Sequence, residues 1–239
     1  MAKPKTPIQN NMHITAIMLI SREERVEQIC QEITQLDTTN ITLNWIIIID
    51  NPQIQKHNIE IPYPTKITHT GQETIPETTM GQRRQRIADN MNLARQQITN
   101  TDLIWIVEDD TIYPPDILQQ MLQHPIPCTA RQAGRHGIKI VGLWDITPNT
   151  YTSKLEGNSD AAGLYCLLTT PDTLKTPFRY DPQSPVGTDV LWCQDNKLKI
   201  TDTKIDVGHW TPYETIYPDN NCLQIKFTKE NNKWTTLIQ

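Results

Sequence analysis

Residues 101–118, TDLIWIVEDDTIYPPDIL, form a run of apolar, β-prone side chains that ends in three consecutive carboxylates, Glu108, Asp109 and Asp110. Residues 103–107 are apolar without alternation, the pattern of a strand covered on both faces. Three adjacent acids repel one another, so the strand end needs a cation or a well-hydrated rim. Pro114 and Pro115 then open a helix over PPDILQQMLQH, because proline is tolerated in a first helical turn. A strand, an acidic turn and a helix make one βα unit, and the fold class depends on whether the rest of the chain repeats it.

Upstream it does. HITAIMLI, residues 13–20, is a strand, and SREERVEQICQEITQL follows with Val26, Ile29, Cys30, Ile33 and Leu36 at helical spacing. Ser21 precedes Glu24 by three positions, a capping-box pattern that starts the helix directly off the strand. LNWIIIIDN is a second buried strand with Asp50 at its carboxyl end. Residues 52–76 are rich in Pro, Thr and His and read as a loop with one short strand near 66–69. In MGQRRQRIADNMNLARQQI, the residues Ile87, Met91, Ala94 and Ile98 define a helix face that packs on the sheet. This alternation predicts an α/β fold with a mostly parallel, Rossmann-like, doubly wound sheet flanked by helices. Ligands of such sheets bind outside the carboxyl ends of the strands, where Asp50 and the acidic cluster lie. Later on, IKIVGLW, AAGLYCLLT and KLKITDTKIDVGHW read as strands, and LQIKFTKENNKWTTLIQ as a hairpin turning at 230–232.

A chain of 239 residues with 37% hydrophobic residues can bury a substantial core in one domain. The net charge of −5 argues against a generally basic nucleic-acid binder. A local basic stretch, CTARQAGRHGIK at 128–139, is either a mobile surface loop or a contact for a phosphate-bearing acceptor. The sequence suggests neither a signal peptide nor an apolar run of the roughly 20 residues that cross a bilayer, so a cytoplasmic protein is expected. Five cysteines without CxxC spacing read as reduced thiols and argue against a zinc site.

In an extended strand, positions i and i+2 face the same way, so Glu108 and Asp110 are expected to converge while Asp109 turns to the other side. Two converging carboxylates suit Mg²⁺ or Mn²⁺ bridging the oxygens of a diphosphate. The alternative is a solvated acidic turn before a proline-started helix.

The β-α-β opening, Asp50 after the second strand, the RRQRIADNMN helix and the strand ending in Glu108-Asp109-Asp110 occur in the order seen in GT-A glycosyltransferases, and the chain resembles their inverting family-2 type. SDAAGLYCLLTTPDTL and GTDVLWCQDNKLKITDTKIDVGHW extend the resemblance over about residues 13–212. It implies a nucleotide-sugar-binding half at 13–125, an acceptor-binding and catalytic half at 126–212, and a lid or hairpin at 213–239 after a flexible N-terminus at 1–12. It further implies that Ser21, Arg22, Asp50, Arg86, Asn92, Glu108 and Asp109 contact the donor, and that Asp110 and His209 hold Mn²⁺ or Mg²⁺. The same resemblance implies that Gly163 lies beneath the acceptor and that Asp189 serves as base. The metal motif is usually D-x-D, and Glu108 stands here in place of its first acid. The implied activity moves a hexosyl or pentosyl unit from a nucleotide sugar to a glycan, small molecule, protein or nucleic acid, including a modified DNA base of the kind that phage glycosyltransferases decorate.

Each residue also has a plainer reading. Asp189 suits a helix N-cap, His209 a structural histidine beside Trp210, Asp50 a turn residue before Asn51-Pro52, and Arg83, Arg84 and Arg86 a solvated helix face. Trp45, Trp105 and Trp144 read as core. A nucleotidyltransferase is a rival activity, although such enzymes carry a glycine-rich basic loop after the first strand and ISREERVEQ contains no glycine. A non-catalytic nucleotide- or glycan-binding module on the same scaffold is the rival from another class.

Overall fold

The computed structural model describes residues 11–70, 80–134 and 139–239. The expected flexible N-terminus, the end of the 52–76 loop and residues 135–138 of the basic stretch therefore lie wholly or mostly outside the described residues. Strand β1 (Met12–Ile20) leads through one 3₁₀ turn (Glu23–Arg25) into α1 (Val26–Thr34), followed by β2 (Ile41–Ile49) and β3 (Thr65–His69). Helix α2 (Met80–Arg95), β4 (Leu103–Glu108), β5 (Thr111–Ile112) and α3 (Ile117–Met121) come next. The second half comprises β6 (Cys128–Gln132), β7 (Leu143–Thr147), β8 (Thr150–Lys154), β9 (Ala161–Ala162) and β10 (Cys166–Thr169). It ends with α4 (Thr188–Asp195), β11 (Thr201–Trp210), β12 (Thr215–Ile216), β13 (Ile225–Glu230) and β14 (Lys233–Ile238).

The central sheet has the order β12-β11-β6-β10-β4-β1-β2-β3, with β5 paired to β11. β1 pairs in parallel with β2 and β4, as β2 does with β3, whereas β10 runs antiparallel to both β4 and β6. The result is the expected α/β, mostly parallel sheet, continued by strands of the second half. Burial explains the unbroken apolar runs: Ile14, Ala16, Met18 and Ile20 of β1 face one core cluster with α1 and α3, while Ile17 faces the other with α2 and α4. Trp45 and Trp105 lie edge to face within the first cluster. Among the described residues no helix is long and apolar enough to cross a membrane.

Two local expectations change, and the C-terminal hairpin keeps its expected turn. The helix after β1 begins with a 3₁₀ turn behind Arg22, and no side chain caps it. The region read as AAGLYCLLT breaks into β9 and β10, leaving Gly163, Leu164 and Tyr165 between strands. The C-terminal hairpin turns at Asn231 and Asn232, both at positive φ, 48° and 62°. Asparagine tolerates that region better than most residues. The hairpin is built into a second sheet, β14-β13-β8-β7-β9, through the pairing of β13 with β8.

Candidate functional site

β4 ends at Glu108, and Asp109 and Asp110 form a turn, so strand alternation does not govern the three acids. Glu108 stays exposed and points into the clefts described below. Asp109 is 3% exposed and faces the end of β1. Its Oδ2 accepts from the Ser21 amide at 2.8 Å, the Arg22 amide at 3.1 Å and the Ser21 hydroxyl at 3.3 Å, and its Oδ1 pairs with Arg22 Nη1. These bonds explain the absent capping box, because Ser21 is held by a carboxylate 88 residues away. Arg22 also reaches Asp110 Oδ2 at 2.7 Å through Nη2. Burial lowers the Arg22 pKa to about 10, which marks a poorly hydrated guanidinium that depends on its carboxylates.

Asp110 and His209 lie side by side. Strand β5, just after Asp110, pairs with β11 in the register Gly208↔Ile112 and His209↔Thr111. The pairing brings His209 Nε2 to 3.3 Å from Asp110 Oδ2, with both residues buried. On the far side of the ring, Nδ1 lies 2.9 Å from the Ala133 carbonyl oxygen. A carbonyl only accepts, so Nδ1 carries the hydrogen and Nε2 is the atom turned to Asp110. This backbone anchoring of one nitrogen is the arrangement that orients metal-binding histidines. Among the described residues no three His, Cys, Asp or Glu side chains are grouped to hold a metal ion. One carboxylate and one imidazole are donor types that suit Mn²⁺ or Mg²⁺, and Asp110 Oδ2 here also carries the Arg22 guanidinium.

Asp50 lies beyond the end of β2 and is 6% exposed. Its Oδ2 meets Arg86 Nε at 3.0 Å and accepts from Asn90 Nδ2 at 3.1 Å. Asn92, expected beside the donor, is on another face of α2. Its amide donates to the Phe178 carbonyl at 2.8 Å, and its Oδ1 accepts from the Phe178 amide at 2.9 Å and from Arg95 Nε at 3.1 Å. Asn90, not singled out in the sequence, is the asparagine of α2 that reaches Asp50. Replacing Asn92 with Ala should therefore lower stability by about 1–3 kcal/mol through the unpaired backbone groups at Phe178, with nucleotide affinity unchanged. Asn90→Ala also strips a donor from the buried Asp50 and should weaken nucleotide binding beyond any loss of stability, and thermal melts with and without nucleotide compare the two.

Asp189 does not cap α4. Gly187 holds the N-cap position, and Asp189 follows in the first turn with its carboxylate against the Gly187 backbone. A Cβ on Gly187 would lie 2.3 Å from Asp189 Oδ1, so a side chain there would displace the Asp189 carboxylate. Burial raises the Asp189 pKa, opposed by the Val190 amide and by the charge of Arg84. Arg84 also fixes the approach to α4 by donating to the Ser184 carbonyl at 3.3 Å and the Pro185 carbonyl at 3.1 Å. The helix face read as solvated therefore docks two segments through Arg84 and Arg86. Gly163 adjoins Asp189, and a Cβ there would come within 2.5 Å of the Tyr165 ring. The tyrosine that makes this glycine necessary was not singled out in the sequence.

Two adjoining clefts result. The first, between the end of β1, Asp50 and α2, is lined by Ser21, Arg22, Asp50, Arg86 and Asp109. The second is lined by Gly163, Tyr165, Trp144, Asp189 and His209. Arg83, Ile87 and Glu108 line both and form the boundary between them. A sheet of this topology with acids at its carboxyl rim defines a GT-A-like α/β protein. No family model and no curated sequence matches the chain. Solved structures are similar in fold. The *S. aureus* TarS 1–349 structure in complex with UDP-GlcNAc aligns at a TM-score of 0.50 and 13% identity over 82% of this chain and 58% of that one. The mannosyltransferase PcManGT from *Pyrobaculum calidifontis*, in complex with GDP-Man and Mn²⁺, aligns at 0.48 and 11% over 83% and 58%. An inositol-1-phosphate CTP transferase from *T. maritima* aligns at 0.46 and 10% over 90% and 91%. The chain thus spans 58% of the length of each of the first two.

Proposed function

We propose that the chain is a family-2-like glycosyltransferase that transfers a hexosyl or pentosyl unit from a nucleotide sugar in the first cleft to an acceptor in the second. The observation that carries this reading is the half-buried carboxylate of Asp189 beside Gly163 in one cleft, separated only by Arg83, Ile87 and Glu108 from a cleft lined by Asp50 and Asp109. In the donor cleft, Asp50, oriented by Arg86 and Asn90, faces the nucleoside, and the Ser21–Arg22 turn flanks the diphosphate. Asp110 and His209 would hold Mn²⁺ or Mg²⁺, which when bound neutralises charge on the departing diphosphate. Asp189 takes the proton of the acceptor hydroxyl as that oxygen bonds to the anomeric carbon from the face opposite the leaving group. The bond from the anomeric carbon to the diphosphate oxygen breaks, the diphosphate leaves with the electron pair, and the configuration inverts. A nucleotidyltransferase is disfavoured by the absence of glycine from residues 20–28, where β1 passes into α1. Acceptors to be screened are glycans, small molecules, proteins and nucleic acids, including modified DNA bases.

A thermal-shift screen of nucleoside diphosphates and nucleotide sugars, with and without Mn²⁺, tests the donor assignment. A ligand at 100 times its Kd stabilises by about 2.7 kcal/mol, and the shift is expected to require Mn²⁺. Absence of a shift with every nucleotide, or stabilisation by nucleoside triphosphates with pyrophosphate release, would overturn the reading.

A further inference from the structure

Arg25 closes the 3₁₀ turn after β1 and is fully buried at 0% exposure, although an arginine is costly to remove from water. Its guanidinium touches three segments of the chain. Nη1 and Nη2 donate to Glu32 Oε1 at 3.2 Å and Oε2 at 3.0 Å in α1, a bidentate pair. Nε donates to the Asp109 carbonyl oxygen at 3.2 Å in the acidic turn. The guanidinium carbon also lies 5.5 Å from the ring centroid of Trp210 at the end of β11. The turn and the strand end meet directly, since the Trp210 amide donates to the Asp110 carbonyl at 2.7 Å. Asp110 and His209 are the chain neighbours of Asp109 and Trp210.

We propose that Arg25 is a positioning residue for the Asp110–His209 pair, setting the acidic turn against the end of β11 from beneath. The proposal rests on the reading of that pair as metal-binding. Stability alone does not account for the arginine, because a buried ion pair replaced by apolar side chains of similar volume is often no less stable. A planar fork that bonds two segments and stacks on a third supplies direction, which apolar side chains do not.

The test is the double variant Arg25→Met/Glu32→Leu, which removes both charges together. Two readouts are followed: hydrogen exchange of the Trp210 amide in the metal-free protein, and Mn²⁺ affinity in the presence of a nucleoside diphosphate, measured by electron paramagnetic resonance. The double variant is expected to melt near the parent, to exchange the Trp210 amide faster while the Ile46 amide in β2 is unchanged, and to bind Mn²⁺ about 10-fold more weakly or worse. Glu32→Gln, which leaves the Asp109 contact in place, should keep Trp210 protection. Should the double variant not fold, Arg25→Lys retains the charge beside Glu32 but lacks the Nε donor, and faster Trp210 exchange is again expected. Parental Trp210 protection in the folded double variant, or in folded Arg25→Lys, overturns the proposal. If the parent binds no Mn²⁺ with any nucleotide, the functional reading fails, and Trp210 exchange still decides whether Arg25 sets the turn.

Discussion

Replacing Asp189 with Asn is expected to lower sugar transfer by roughly 10²–10⁴-fold while leaving donor affinity near that of the parent, because a general base contributes chiefly in the transition state. Asn is the informative replacement. Asp189 follows the N-cap glycine, with its carboxylate packed against Gly187 and near Gly163, so an amide of equal size preserves the packing and removes only the base. Burial raises the pKa of this carboxyl above the usual range, with the Val190 amide and Arg84 opposing. The rate should therefore rise with pH through a limb above the ordinary carboxylate range, and the Asn variant should lack that limb. The stability effect has the opposite sign. The folded state holds this proton more tightly than the unfolded chain, so Asp189 costs stability once pH exceeds the unfolded pKa, and the cost grows up to the folded pKa. At neutral pH the Asn variant should consequently melt no lower than the parent. Transfer at the parental rate would show that Asp189 is not the base, and the anomeric configuration of the product would then distinguish a retaining reaction from inversion with a base elsewhere.

The strands of the sheet were legible because parallel strands covered on both faces are written as continuous apolar runs, as in residues 45–49 and 103–107. Asp50 and the acidic turn were legible for a related reason, since ligand groups gather where such runs end. The choice between Asn90 and Asn92 was also within reach. Arg83, Arg86 and Asn90 are spaced by three and four residues and share one face of α2, and Asn92 is two positions out of phase. The roles of Ser21 and Asp109 were not legible locally. Ser-x-x-Glu is a valid capping pattern, and only a contact 88 residues distant in sequence reveals that Asp109 has captured the serine. Similarly, the i, i+2 argument for Glu108 and Asp110 presumed that the strand continued, whereas it stops at Glu108, which stays exposed, and the turn brings Asp109 and Asp110 together on Arg22. Arg25 gave no signal, because one arginine among SREER is indistinguishable from a solvated one until its burial is known.

The adjacent carboxylates Asp109 and Asp110 should fail in different ways when removed. Asp109→Ala strips the acceptor from the Ser21 and Arg22 amides and from one side of the Arg22 guanidinium, in a site where Asp109 is 3% exposed. Losing one partner of a buried, hydrogen-bonded ion pair costs on the order of 3–5 kcal/mol, so a marked fall in Tm without any ligand is expected. Asp110 was expected at a wet rim, but it is 1% exposed and lies between Arg22 Nη2 at 2.7 Å and His209 Nε2 at 3.3 Å. Truncation to Ala would open a hole there and blur binding with stability, so Asp110→Asn is the cleaner probe. The amide keeps the volume, and Arg22 retains Asp109 as counter-ion. Its neutral oxygen is a much poorer ligand for a hard cation than a carboxylate. The Asn variant should melt close to the parent without ligand yet lose the Mn²⁺-dependent part of stabilisation by a nucleoside diphosphate. Melting curves of the three proteins, with and without nucleoside diphosphate and Mn²⁺, place both variants on one scale. Unchanged Mn²⁺-dependent stabilisation in Asp110→Asn would remove this residue from the metal site, and a parental Tm in Asp109→Ala would show that the clamp on the Ser21–Arg22 turn contributes little to the fold.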